Sequence, residues 1–424
     1  MNAVLNNGVV FLSEPIVAFH TVAVGFWFSI GSRYENENQK GITHFVEHLI
    51  FKGTYPSEKC PNGRTAYDIA CAFDRMGGYV NAFTERENVC VYFVVPHSSF
   101  YEALDILCDM CFNSCFPKTD IEKERSVICS EILSAQDDPE DAALDTLIEK
   151  IWPKNSVSAS IAGSVNDVKK IQRAELVAWY KKYFVNGSLQ ISIAGNFNEK
   201  DAINRLKELP KRKEVKPGLQ QNSFFSVPIW NNGLSLEIAD FQMEQIFCVY
   251  PLKFPITKIK YYALAILNAL IGDTMSSRLF QSLRENGGFC YNVYSFFSIY
   301  DDCGLWCAYV SAPSEKTITV IEKLSIELDK LRNKEITDAE IQAAKEHLCG
   351  EEIINAEDVE QRMKKMSRLF SLGFDMESVE QTVASIRSIT KYELREALDT
   401  LLCAENQAML IYGPKLKRKD RKKL

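Results

Sequence analysis

The chain has 424 residues, 46% of them hydrophobic and 25% charged, with a formal net charge of -7. That length accommodates two or three domains with sizeable cores, and the composition is that of an ordinary globular protein. The acidic balance gives no basis for nucleic-acid binding, and no apolar run approaches the ~20 residues of a membrane-spanning helix. The opening, Met1-Asn2-Ala3-Val4-Leu5-Asn6-Asn7, lacks the basic start and apolar core of a secretory leader. With 13 scattered cysteines, the chain reads as cytoplasmic, its thiols free in a reducing compartment.

From the N-terminus, Val22–Ile30 reads as a buried strand. His44-Phe45-Val46-Glu47-His48 follows, and this pentapeptide takes two of the chain's five histidines. On a helix, positions i and i+4 share a face. The rings of His44 and His48 can then reach one tetrahedral zinc ion, with the Glu47 carboxylate beside it. The order is H-x-x-E-H, the inverse of the commoner zinc-protease H-E-x-x-H. A Pro/Gly loop, Tyr55–Gly63, comes next. Asn88–Val95 reads as a second strand, stopped by Pro96. Phe100–Phe112, Asp120–Ala135 and Ala174–Phe184 have helical periodicity.

The segment Lys207–Gly218 is charged, Pro-containing and poor in apolar residues, which marks a linker. Beyond it the chain echoes itself. Ile171-Gln172-Arg173-Ala174-Glu175-Leu176 recurs as Ile389-Thr390-Lys391-Tyr392-Glu393-Leu394, and Ile193-Ala194-Gly195 recurs as Ile411-Tyr412-Gly413. Each echo is displaced by 218 residues, about half the chain. A constant offset favours a duplicated domain. The expected fold is α+β, with two homologous two-layer α/β domains: a zinc-binding domain over 1–208, a linker over 209–223, and a homologous domain without zinc over 224–414. The tail 415–424 carries seven basic residues and one Asp, the pattern of a solvated terminus.

A catalytic zinc site usually has three protein ligands and an open position for water. The best source of the third is the helix Asp120–Ala135, where Thr119 and Glu122 form a capping-box pattern at its start. Glu124 and Glu131 lie seven residues apart, about two turns, and share a face. One can bind the metal while the other holds a ligand imidazole from behind; equally, both can be ordinary surface carboxylates. Cys108, Cys111 and Cys115 offer a second metal cluster, but their spacing is also that of a buried helix face. His20, His97 and His347 are isolated.

These motifs together resemble the insulysin, pitrilysin and mitochondrial processing peptidase family of inverted-motif zinc peptidases, in particular its shorter processing-peptidase-like members. The resemblance takes in Gly31–Glu35, Gly41–Thr54, Gly77–Ala82, Glu124–Ile132, Met275–Glu285 and Gly288–Tyr291. It implies a zinc metalloendopeptidase with one Zn2+ per chain on His44, His48 and Glu131, supported by Glu124. By the family's usual spacing from His48 the ligand would be Glu124; the local motif favours Glu131, and a bulge at Tyr55–Gly63 accounts for the shift. Anchoring Gly53 on Gly272 places Ala263, Ile266 and Leu267 opposite His44, Glu47 and His48, so the duplicate helix carries no zinc motif.

The resemblance further implies that Glu47 acts as general base and that Arg284 and Tyr291 contact the substrate from the second half. The strand around Asn81, Ala82, Phe83 and Thr84 is expected to accept a short or unfolded peptide as an added β-strand. The family's chamber needs two such two-domain halves. A homodimer is therefore expected, with Arg284 and Tyr291 acting in trans, and a heterodimer would also serve. The competing readings are a non-catalytic or partner-dependent assembly subunit of the same family, and a protein whose zinc is structural. A structural site would call for four protein ligands, often cysteines.

Overall fold

A computed structural model describes residues 2–212, 214–218, 225–333, 335–417 and 420. Within the expected linker, 213 and 219–223 lie outside the described residues, as do 418–419 and 421–424 of the basic tail.

The chain forms two compact units, each assembled from three segments: Met1–Ala135, Ala159–Gln220 and Asn355–Met376 in the first, Gln136–Ser158, Gln221–Ile354 and Glu377–Leu424 in the second. The first is built on six strands: β1 (Asn2–Val4), β2 (Val10–Pro15), β3 (Thr21–Phe28), β4 (Tyr79–Thr84), β5 (Val89–Pro96) and β6 (Leu189–Gly195), in the order β1-β2-β6-β3-β5-β4. The second has β7 (Gly233–Ile238), β8 (Glu244–Pro251), β9 (Asn292–Ile299), β10 (Gly304–Ala312) and β11 (Ala408–Gly413), in the order β7-β11-β8-β10-β9. Apart from β1, the two orders superpose strand for strand. In each sheet the first-formed strand runs parallel to the last, β2 with β6 and β7 with β11, and the other pairings are antiparallel. The echoes in the sequence fall on matching elements. β6 ends at Gly195 and β11 at Gly413, and the preceding helices, Arg173–Tyr180 and Lys391–Leu401, both open with a capping box.

In the first unit, one sheet face packs on α1 (Ile42–Ile50), α2 (Ala66–Met76), α3 (Phe100–Phe112) and α4 (Lys118–Asp137), whose apolar residues join those of β3 and β5 in one core. The other face is covered by the helix Val359–Leu372, drawn from the second half of the sequence; Val359, Met363, Met366 and Phe370 lie on Val10, Leu12, Ala23 and Ala194. A Cβ on Gly25 would stand 2.4 Å from the Met363 sulfur, so a larger residue here would require the Met363 and Trp27 side chains to shift where this helix crosses. The second unit mirrors the arrangement. Its sheet is covered on one face by α5 (Pro139–Ile151), from the first half, through Ala143, Leu147, Ile148 and Ile151. Each half of the sequence thus completes the other's sheet with one helix. Burial on both faces explains why β10 reads as an almost continuous apolar run; β6 is buried throughout but alternates, and its polar Gln190 and Ser192 are hydrogen-bonded to Ser367 and Trp27.

The expected helix over 120–135 begins at Lys118, where the Pro117 carbonyl accepts from the Ile121 amide. Thr119 therefore lies inside the first turn and forms no capping box, and Glu122 pairs with Arg125 at 3.2 Å. Pro139 opens α5 at its first position behind Asp138, whose side chain accepts from the amides of Glu140 and Asp141.

Candidate metal centre

The helix α1 carries the H-x-x-E-H motif, and its N-terminus is held from outside. Its N-cap, Gly41, sits at φ 83° and has no side chain to bond the free amides. Glu35, six residues upstream, takes that role: its two carboxylate oxygens accept from the amides of Gly41 and Thr43 at 2.7 and 2.8 Å. Burial pushes the Glu35 pKa up to about 8, against the opposing pull of its hydrogen bonds with Thr43 and Gly41. Glu35→Ala is expected to cost about 1–2 kcal/mol of stability, as loss of a cap does, measurable by urea denaturation.

One turn into the helix, His44 and His48 stand with ring centroids 4.6 Å apart and Nε2 atoms 3.3 Å apart. Glu131, two turns along α4, brings its Oε2 to 3.4 Å from the His48 Nε2. Around a tetrahedral zinc with ligand bonds of ~2.0–2.1 Å, neighbouring ligand atoms stand about 3.3–3.4 Å apart. These two spacings suit such an ion, and two imidazoles with a carboxylate are donors that zinc accepts. Among the described residues this trio is the one group of three His, Cys, Asp or Glu side chains whose ligand atoms converge, all within 4.8 Å.

Electrostatics point the same way. Burial, and then the neighbouring His48, push the His44 pKa down to about 4. At neutral pH its ring is uncharged with a lone pair to offer. Its Nδ1 is buried without a hydrogen-bond partner. An uncharged imidazole is the form that binds a metal ion.

Glu124, on the same face of α4, does not join the cluster. Its Oε2 lies 3.1 Å from the His48 Nδ1, on the far side of the ring. Glu124 thus lies behind the His48 ring, and Glu131 beside its Nε2. The loop that shifts the count is closed at its base. The Thr54 amide donates to the Arg64 carbonyl at 2.9 Å, Gly53 bridges Thr65, and Thr54 bridges Ser114. Tyr55–Gly63 is thus looped out between fixed ends.

Glu47 is buried, at 9% exposure. Burial raises its pKa above the ordinary carboxylate range, against the opposing pull of His48 and Thr84. Its Oε2 accepts from the Thr84 hydroxyl at 2.9 Å. This holding role of Thr84 is not visible in the sequence, because it depends on β4 lying beside α1. Thr84→Val is expected to slow any reaction that uses Glu47 as base by roughly five-fold, the worth of about 1 kcal/mol in positioning. Zinc affinity should be unchanged, and steady-state kinetics beside a metal-competition assay would check both.

Asn81, Ala82, Phe83 and Thr84 all lie on β4, which ends its sheet and pairs with β5 alone. Among the described residues no further strand pairs with its outer edge, and the Ala82 amide donates to the Asn81 side-chain oxygen at 2.8 Å. Phe83 faces away from α1 and packs edge-on against Trp27 and Tyr92, with centroids 5.6 and 6.1 Å away. Its part in any peptide capture would be through the backbone.

Arg284 and Tyr291 belong to the second unit and are described there alone. Arg284 is exposed on the helical turn Phe280–Glu285, its guanidinium 5.1 Å from the Phe280 ring centre. Tyr291 is 74% exposed just before β9, so it is not a core tyrosine. Ala263, Ile266 and Leu267, the counterparts of the motif, are buried in the second core. Cys108 and Cys111 are thiols held in apolar surroundings, the first pushed up to about 12 by burial and the second well above the usual range. They serve as small core residues. All 13 cysteines are free. His20, His97 and His347 are exposed. Among the described residues no helix is long and apolar enough to cross a membrane.

Comparison with known proteins covers almost the whole chain. Residues 10–165 match the family model described as insulinase (peptidase family M16), and residues 170–348 match the one described as peptidase M16 inactive domain. An uncharacterized zinc protease of Mycobacterium tuberculosis is 30% identical over 97% of this chain and 92% of its own length. The uncharacterized zinc protease YmxG of Bacillus subtilis is 28% identical over 96% of this chain and 97% of its own. Among solved structures, a peptidase M16 inactive domain from Pseudomonas fluorescens superposes with a TM-score of 0.86 at 15% identity, covering 98% of both chains. A protease from Helicobacter pylori gives 0.84 at 17%, covering 98% of this chain and 99% of its own. At those identities the structures speak to the fold.

Proposed function

The chain belongs to the insulinase family of peptidases, family M16, and from that premise we propose that it is a zinc-dependent endopeptidase acting on short or unfolded peptides. The observation that carries the reading is the convergence of His44, His48 and Glu131, whose ligand atoms all lie within 4.8 Å of one another, with the buried carboxylate of Glu47 on the same helix.

His44, His48 and Glu131 would hold the ion, which supplies a lowered water pKa and a polarised scissile carbonyl when bound. Glu47, kept in place by Thr84, takes a proton from the attacking water and delivers it to the departing amine. The proton count closes: Glu47 passes one water proton to the departing nitrogen, and the second, carried on the water oxygen into the new carboxyl group, passes to the new amine, leaving a carboxylate and an ammonium. The water oxygen becomes part of the new carboxylate. The outer edge of β4 pairs with the peptide backbone and extends it past Glu47. Arg284 and Tyr291, both exposed, supply hydrogen bonds to the developing oxyanion or the peptide backbone. They do so from the second copy in a homodimer, or from a related partner chain in a heterodimer, because each chain is one half of the chamber.

Backbone capture by a strand edge demands an extended substrate. A quenched, unstructured peptide mixture should be cut by zinc-loaded protein, and a stably folded protein of the same composition should be spared. Turnover per chain should fall on dilution as the dimer separates. Equal cutting of folded and unfolded substrates would rule out capture by the strand, and full turnover per chain in a monomer would rule out catalysis in trans.

A further inference from the structure

Just past the C-cap of the ligand helix stands a residue that the mechanism above leaves unused. Lys52 follows His48 by four positions. Its amide donates to the Leu49 carbonyl at 3.1 Å, in the turn that closes the end of α1. Its Nζ lies 2.8 Å from Oε1 of Glu124, whose other oxygen lies 3.1 Å from the His48 Nδ1. Glu124 is buried, at 8% exposure, and Lys52 is partly covered. One carboxylate is therefore gripped at both oxygens, by an ammonium on one side and an imidazole on the other.

We propose that Lys52 is a positioning residue for the metal centre, which acts through Glu124 to fix the ring of His48. A glutamate side chain turns freely about its last bond, and a single partner on one oxygen leaves that rotation open. With Lys52 holding Oε1, the carboxyl plane is set and Oε2 is aimed at Nδ1. The His48 ring is then held with its proton on Nδ1 and its Nε2 lone pair directed at Glu131 and His44. Partners of this kind behind a metal-binding imidazole typically change affinity by ~10–100-fold. The arrangement is local and economical. His48 lies in the last turn of α1 and Lys52 just beyond its C-cap, so one contact with α4 orients the ligand and docks the helix end.

The inference rests on the metal centre proposed above, and the test separates the two. Zinc affinity would be measured by competition with a chromophoric chelator for the wild type, Lys52→Met, Lys52→Arg, Glu124→Gln and the double variant Lys52→Met/Glu124→Gln. Cobalt spectra of each would report ligand geometry. Expected are a loss of roughly ten-fold in Lys52→Met with a changed cobalt spectrum, recovery in Lys52→Arg, and no further loss on adding Lys52→Met to Glu124→Gln. Lys52→Gln repeats the test if the methionine variant folds poorly. Unchanged affinity in both Lys52→Met and Lys52→Gln, or a loss that persists undiminished in the Glu124→Gln background, would overturn the role. A wild type that binds no zinc would overturn the metal centre itself and this role with it.

Discussion

Glu131→Ala is expected to weaken zinc binding by about a hundred-fold or more, while Glu124→Gln weakens it by about 10–100-fold. The first removes an atom that stands 3.4 Å from the His48 Nε2, inside the cluster; the second disturbs a partner on the opposite side of the ring. Glu131 is 47% exposed, and substitutions at such sites usually change stability by within about 0.5 kcal/mol. The loss can therefore be read as lost coordination. Chelator competition on both variants, beside thermal denaturation of the metal-free proteins, gives the comparison. The reverse ranking would make Glu124 the ligand, as counting along the chain at the family's usual spacing suggests, and would require α4 to turn relative to α1.

The second large effect concerns Glu47. Glu47→Gln should lower kcat for peptide hydrolysis by about 10²–10⁴-fold, the usual worth of a positioned acid–base group. Zinc affinity should stay close to wild type. The amide has the size of the carboxyl group, and its oxygen can still accept from the Thr84 hydroxyl, but it cannot take a proton from water. The fold should not suffer. The carboxylate is buried, and burial raises its pKa, so the charged form is held at an energetic cost that the neutral amide avoids. A melting temperature equal to or above that of wild type, together with lost turnover, would be the signature of a residue kept for chemistry rather than for stability. Turnover at the wild-type rate would remove Glu47 from the mechanism.

How much of this was legible along the chain depended on how local each signal was. The spacing of His44 and His48 is a property of one helix, and the periodicity that predicts α3 returns its bounds, Phe100–Phe112, unchanged. The duplication was legible because two strands ending in glycine and two capped helices recur at one offset. What the sequence could not show was which element meets which. The apolar stripe of α5 says that it packs on something, yet nothing in it says that the partner is the sheet of the other half; the same holds for Val359–Leu372. The roles of Thr84, Glu35 and Lys52 were hidden for a related reason. Thr84 acts through a residue 37 positions away and Lys52 through one 72 away. Glu35 lay inside a quoted motif, and the helix it caps has a glycine where a capping side chain is usually found. Of the three, Lys52 left the plainest trace, a third residue in the series of fours begun by His44 and His48.

The choice between Glu124 and Glu131 shows the limit in another form. Both lie on one helix face, and the sequence leaves both within reach of the imidazoles. Only the placement of α4 against α1 decides that one reaches Nε2 and the other Nδ1. The looped-out segment Tyr55–Gly63, tied at Thr54 and Arg64, shows why a fixed count along the chain misleads. Insertions between rigid elements change the numbering without moving the elements.

The most direct test of the central claim is a zinc titration of the metal-free protein, followed by hydrolysis of a quenched, unstructured peptide mixture. The account predicts no cleavage without metal, a rise in rate with each addition, and a break at one zinc per chain. Cleavage that is indifferent to zinc would contradict it, as would a protein that binds one zinc per chain, dimerises and cuts nothing.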